Sequence, residues 1–247
     1  MTRDVVVLAG GLGTRLAGVL GARPKALAEV AGRPFLDWLF EYLTREPVDR
    51  VIVSIGHLGD QLVARYGSRF EQLPIVYVRE DRPLGTGGAI LHAIRTVDCA
   101  AVFVLNGDTL LPVALGSLQG SQDDELVIAV REVGDASRYG TVRCHEGRVV
   151  SFHEKQAHGP GLVNAGSYWV RRSMLERIAT PALPALALPE AFSFERDVLQ
   201  AYGSHVAARA VVVNAPFIDI GTPEALAEAQ LSIPALMRHL AATPSSS

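Results

Sequence analysis

Apolar residues fall along this chain in two rhythms, and the change from one to the other sets the expected architecture. Short runs rich in β-branched residues, Val5 to Leu8, Arg50 to Ile55, Pro74 to Val78 and Cys99 to Leu105, have the length and composition of buried strands. Between them apolar positions recur at helical spacing. Phe35, Leu36, Leu39, Phe40 and Leu43 stripe a helix from Phe35 to Glu46, a shorter helix spans Gly59 to Tyr66, and another segment runs from Ile90 to Ile94. Strand, helix, strand alternation argues for parallel pairing through right-handed crossovers. After one more strand, Leu126 to Val130, the helical period disappears. Short alternating runs replace it at Gly140 to Cys144, Val149 to Glu154 and Leu162 to Val170. Thr180 to Pro189 reads as a connection, Ser193 as the N-cap of a helix, His205 to Val213 as a last strand and Glu224 to Leu231 as a last helix capped by Thr222. The expected fold is α/β, a mostly parallel twisted sheet with helices on both faces and a small antiparallel subregion.

Composition narrows this picture. With 247 residues and 49% hydrophobic, the chain is long enough for one substantial core, so residues 1–232 are expected to form a single domain and 233–247 a flexible tail. A formal charge of −3 gives no general attraction to nucleic acid or to an anionic membrane. Basic chemistry must then come from single lysines and arginines. Cys99 and Cys144 are too few and too far apart for a disulfide framework or a zinc site, which fits a reducing, cytoplasmic setting.

The candidate chemistry gathers at strand ends. Val5 to Leu8 runs into Gly10, Gly11 and Gly13, a loop whose backbone N–H groups can converge on phosphate oxygens, with Arg15 adding a planar fork of donors. There is no Gly-Lys-Ser/Thr to complete a Walker loop, and Leu16 stands where the dinucleotide fingerprint needs a small residue. Lys25 comes after the stiffening Pro24, and His57 lies just past the second strand. A second glycine-rich loop, Gly85, Thr86, Gly87 and Gly88, opens the next helix and offers free N–H groups at the positive end of a dipole. Asp108 ends a buried strand, and Asp219 sits between two isoleucines; both need a compensating cation. Glu154 beside Lys155, and Asn164 with Tyr168, suit a hydroxyl-rich, phosphorylated ligand, and Glu195 is a further candidate there. Each of these also has a plain structural reading as a turn, a cap or a solvated side chain.

Taken in order, Leu-Ala-Gly-Gly-x-Gly-Thr-Arg-Leu, Pro-Lys, Pro-Leu-Gly-Thr-Gly-Gly-Ala, Asn-Gly-Asp, Phe-x-Glu-Lys, Asn-Ala-Gly and Asp-x-Gly-Thr-Pro resemble the sugar-1-phosphate nucleotidyltransferase family from Val5 to Leu231. The spacing is most similar to that of short bacterial members that transfer guanylyl to a heptose 1-phosphate. The resemblance implies a Rossmann-like fold, a nucleoside triphosphate (GTP) and a sugar 1-phosphate as substrates, Mg2+ as cofactor, and a homodimer as one possible assembly. It implies catalytic roles for Arg15, Lys25 and Asp108, with Asp108 and Asp219 as metal ligands. Leu8, Ala9, Gly10, Gly11, Gly13, Thr14, Arg15, Gly85, Thr86, Gly87 and Gly88 would surround the nucleotide; Glu154, Lys155, Asn164, Gly166, Tyr168 and Glu195 would hold the sugar phosphate. Other sugar and base pairs within the family, and a non-catalytic sensor of nucleotide sugars, stay open at this point.

Overall fold

A computed structural model describes residues 3–11, 13–137, 139–153, 159–179, 188–201 and 203–242. The chain divides into two compact units, one comprising Met1–Asp81, Asn106–Pro112 and Ala215–Ser247, the other Arg82–Leu105 and Val113–Asn214.

In the first unit, strands Asp4–Leu8, Arg50–Ile55 and Leu73–Arg79 lie side by side and parallel, Val6 opposite Ile52 and Val53 opposite Tyr77. Val5, Val6, Val7, Val51, Ile52 and Val53 are fully buried, as continuous apolar runs in a parallel sheet should be. The Phe35–Leu43 helix buries the stripe expected of it, and Phe40 meets the ring of Tyr66 edge-on at 5.1 Å. Buried Asp37 accepts from Tyr66 Oη at 2.6 Å and from Arg65, which ties this helix to the Gly59–Tyr66 helix. Burial, and then the Asp37 carboxylate, push the Tyr66 phenol well above its ordinary range. The final helix runs from Pro223 to Ala242, past the Ser232 after which a tail is expected, because Ile233, Leu236 and Met237 continue its buried face. Thr222 Oγ1 caps it by accepting the Ala225 N–H at 3.2 Å, as expected. Residues 243–247 lie outside the described set.

The second unit holds the expected antiparallel subregion and extends it beyond the stretch after Tyr139. Its strands are ordered Thr141–His145, Arg148–His153, Ala208–Val212, Leu126–Val133, Gly161–Arg171, Ala101–Asn106, and among the described residues only the pair Ala208–Val212 with Leu126–Val133 is parallel. The fold is therefore α/β with a mixed set of strands. Pairing direction depends on how each connection returns, which apolar spacing does not record. The last strand is also shorter than expected, since His205 closes a 3₁₀ turn at Gly203–His205. Cys99 and Cys144 are free thiols, the first buried and the second half-buried.

Asp124 fastens this unit. It is buried, and accepts from the Ser121 N–H at 3.0 Å and hydroxyl at 2.9 Å, from Arg209 at 3.1 Å and from Arg148 at 2.6 Å. Burial alone would raise the carboxyl, but these donors outweigh it and hold it at about 2. A carboxyl depressed in the folded state contributes stability above its unfolded pKa, and that contribution is lost as pH falls through the folded value. We expect Asp124→Asn to cost about 2 kcal/mol at neutral pH. In urea titrations the gap from the parent should close as pH falls below the ordinary carboxylate range toward about 2; a gap that does not change with pH would show that the charge contributes nothing.

Candidate functional site

The first unit builds a small cleft from local geometry. Strand Ala101–Asn106 delivers the chain to Gly107, whose N–H donates to Leu8 O at 3.0 Å. A Cβ at Gly107 would lie 2.6 Å from that same oxygen, so only glycine lets the chain cross the end of the first strand. Asp108 comes next. The two-residue strand Thr109–Leu110 then pairs antiparallel with Ile218–Asp219, placing Asp219 opposite Thr109, and Ile220 N–H donates to Asp108 O at 3.0 Å. Two acids far apart in sequence thereby arrive on one small ribbon.

Lys25 joins them. Buried Pro24 leads into the 3₁₀ turn Lys25–Leu27, and Lys25 Nζ is hydrogen-bonded to Asp108 Oδ2. Thr109 Oγ1 donates to the other Asp108 oxygen at 3.1 Å, and Asp219 Oδ1 accepts the Gly221 N–H. A Cβ at Gly221 would fall 2.6 Å from Asp219 Oδ1 and 3.7 Å from Lys25 Nζ, which puts both groups around one glycine. Gly11, Gly13, Arg15, Lys25, Asp108 and Gly221 line a cavity of about 240 Å³. Among the described residues no three His, Cys, Asp or Glu side chains are grouped to hold a metal, so this unit offers a pair of carboxylates and no closed cage.

The glycines of the first loop divide into separate tasks. Gly13 has φ +60° and its Cβ position lies 3.2 Å from Lys25 Cβ, so it shapes the approach of the lysine. Gly11 faces open space, the one position of the three where a ligand can press on the backbone. Gly10 packs instead: a Cβ there would lie 2.5 Å from Glu80 Oε1 and 3.3 Å from Gly56 N. The Ala9 N–H is spent on Ser54 O at 3.0 Å. Leu8 ends the first strand, Thr14 opens the turn Thr14–Leu16, and Arg15 is exposed. Glu80, half-buried and hydrogen-bonded by Ser54 Oγ at 2.9 Å, is not among the residues singled out by the sequence pattern. The available signal is an acid at a strand end shortly before a glycine-rich loop. His57 is exposed in the loop after the second strand.

In the second unit the other glycine run is not an open loop: it forms the first turn of the helix Gly85–Val97, which starts before the expected segment from Ile90. Gly87 and Gly88 N–H groups both donate to Phe192 O, at 3.0 and 3.3 Å, which corrects the expectation of open donors there. Gly85 has φ +68°, and a Cβ on it would lie 2.5 Å from that carbonyl oxygen. Thr86 Oγ1 donates to Glu195 Oε2 at 2.7 Å. Asn164 Nδ2 donates to Tyr168 Oη at 2.6 Å, and Asn164 Oδ1 accepts the Gly166 N–H at 3.1 Å across an irregularity in the strand. Tyr168 meets Phe194 edge-on at 5.1 Å. Thr86, Gly166, Asn164, Tyr168 and Glu195 thus belong to one connected region of this unit. Glu154 and Lys155 lie outside the described residues, as does most of the Thr180 to Pro189 connection.

A parallel strand that breaks into glycines, with a lysine, an arginine and a carboxylate lining a small cleft and a second carboxylate on the adjoining ribbon, is an arrangement suited to phosphates. Residues 4–235 match the Nucleotidyl transferase family, and the chain belongs to it. It is 35% identical over 230 residues to D-glycero-alpha-D-manno-heptose 1-phosphate guanylyltransferase of Aneurinibacillus thermoaerophilus, with 92% of this chain and 96% of that one covered. It is 36% identical over 222 residues to the protein of the same name from Campylobacter jejuni, covering 90% and 96%. The crystal structure of HddC from Yersinia pseudotuberculosis complexed with GMP-PN superposes with a TM-score of 0.77 at 35% identity, over 94% of this chain and 99% of that one.

Proposed function

We propose that this protein is a sugar-1-phosphate guanylyltransferase, joining GTP to D-glycero-α-D-manno-heptose 1-phosphate and releasing pyrophosphate. The observation that carries the reading is the meeting of Lys25, Asp108 and Asp219 beside Gly11 and Arg15. A sugar-phosphate oxygen attacks the α-phosphorus in line; the bond from that phosphorus to the bridging oxygen breaks, and pyrophosphate leaves with the electron pair. The nucleophile is already an anion near neutral pH, so no general base is needed. The obstacle is the mutual repulsion of two phosphorylated substrates, and aligned positive charge is what lowers it. In this reading Arg15 holds the departing phosphates, and Lys25 bridges the α-phosphate and the incoming phosphate.

Asp108 and Asp219 suit a divalent ion, magnesium by preference, because that ion takes one or two carboxylates and completes its shell with phosphates and water. Lys25 resting on Asp108 already places one positive charge at that carboxylate. When bound, the ion would supply charge neutralisation at the phosphates. We assign base choice to Glu80, whose carboxylate also takes the Ser54 hydroxyl: a carboxylate can accept from the adjacent N1–H and 2-amino donors of guanine, whereas uracil and thymine present one N–H between two acceptors.

A pyrophosphate-release panel of four nucleoside triphosphates against heptose, mannose, glucose and N-acetylmuramate 1-phosphates tests this. GTP with the heptose phosphate should exceed every other pair, and Glu80→Gln should cut the preference for GTP over UTP by roughly tenfold. Activity confined to UTP or dTTP would overturn the base assignment. Nucleotide binding with no release on any acceptor would favour a sensor.

A further inference from the structure

Leu84 and the first turn of the Gly85–Val97 helix are hydrogen-bonded to a neighbouring segment, residues 190–195. Phe192, buried at 3% exposure, donates its N–H to Leu84 O at 2.9 Å and takes both glycine N–H groups on its carbonyl. Its ring occupies the space that a Cβ at Gly87 would need. Arg82 pairs with Glu190 at the near end. The remaining link is a side-chain relay: Phe194 N–H donates to Thr86 Oγ1 at 2.8 Å, and Thr86 Oγ1 donates to Glu195 Oε2 at 2.7 Å. Ser193 Oγ donates to the same carboxylate oxygen at 3.1 Å. Glu195 lies at the start of the π-helix Phe194–Gln200, a rare distortion frequently found at functional sites.

We infer that Glu195 is a positioning residue for the nucleotide loop, acting through the Thr86 hydroxyl, and not a direct contact of the acceptor sugar. Thr86 must accept from Phe194 and donate to Glu195 at once, which a hydroxyl does and an isosteric valine does not. Glu195 in turn gives Thr86 and Ser193 a shared acceptor. Removing it leaves two partly buried donors without one, at a cost that falls on the loop. The inference rests on the reading of that loop as nucleotide-binding.

The test compares Thr86→Val, Thr86→Ser, Glu195→Ala, Glu195→Gln and the Thr86→Val/Glu195→Ala double variant in the full chain. Thr86→Val and Glu195→Ala should each raise KM for GTP roughly tenfold and leave KM for the heptose phosphate within about twofold. The double variant should be no worse than either single one, and Thr86→Ser and Glu195→Gln should stay near the parent. Amide exchange at residues 84–88, read without substrate, should accelerate in Glu195→Ala and not in Glu195→Gln. If Glu195→Ala raises only the KM of the sugar phosphate, or the two single effects add, the inference fails while guanylyl transfer stands. If the parent releases no pyrophosphate, the functional reading fails, and unchanged exchange at 84–88 in Glu195→Ala would by itself overturn the positioning role.

Discussion

Asp108→Asn is expected to lower turnover on the order of 10²–10³-fold while the fold survives. The amide keeps the volume and the Thr109 contact, and the backbone carbonyl of residue 108 still accepts from Ile220, so the ribbon carrying Asp219 has no reason to move. What disappears is the charge that steadies Lys25 and a divalent ion. Pyrophosphate release at saturating GTP, together with a thermal unfolding midpoint, separates the two effects. Turnover within threefold of the parent would remove Asp108 from the chemistry.

Lys25→Met should cost turnover by roughly a hundredfold, with the loss in kcat, because the ammonium is needed most when negative charge crowds the α-phosphorus. It carries a second, opposite consequence. Lys25 is paired with Asp108 at 17% and 36% side-chain exposure, so an arriving cation competes with it. The variant leaves that carboxylate without its ammonium, and Mn2+ binding to the substrate-free protein, monitored by electron paramagnetic resonance, should tighten roughly fivefold. Weaker metal binding together with unchanged kcat would put Lys25 outside the site.

The parts of the structure governed by local pattern are legible in the sequence. Val5 to Leu8, the Phe35 stripe and the Ser193 and Thr222 caps come from spacing and hydrogen-bonding chemistry that act within one element. Asp108 and Asp219 stand out as acids in apolar settings, but their meeting depends on two strands of two residues each, too short to leave a periodic trace. The glycines are legible as glycines, and their reasons are not. Gly10 makes room for Glu80 and Gly56, and Gly85 makes room for Phe192, neighbours that only the folded chain supplies. Glu80 itself escapes notice because a single acid after a strand has the same signature as a solvated one. The alternating runs after Tyr139 mark the antiparallel region, yet the expected balance of parallel and antiparallel pairs is wrong.

The first unit is stitched from three stretches of chain, and its two acids sit on the second and third of them. On the ribosome, the stretch through Asp81 emerges with the glycine turn and Lys25 but with neither Asp108 nor Asp219. Closure must wait until the third stretch, from Ala215 onward, has been made, across long loops whose ordering entropy is met before any contact rewards it. On the proposed reading, competence to act is therefore a late event in the life of each molecule, gained only when the third stretch has packed onto the first.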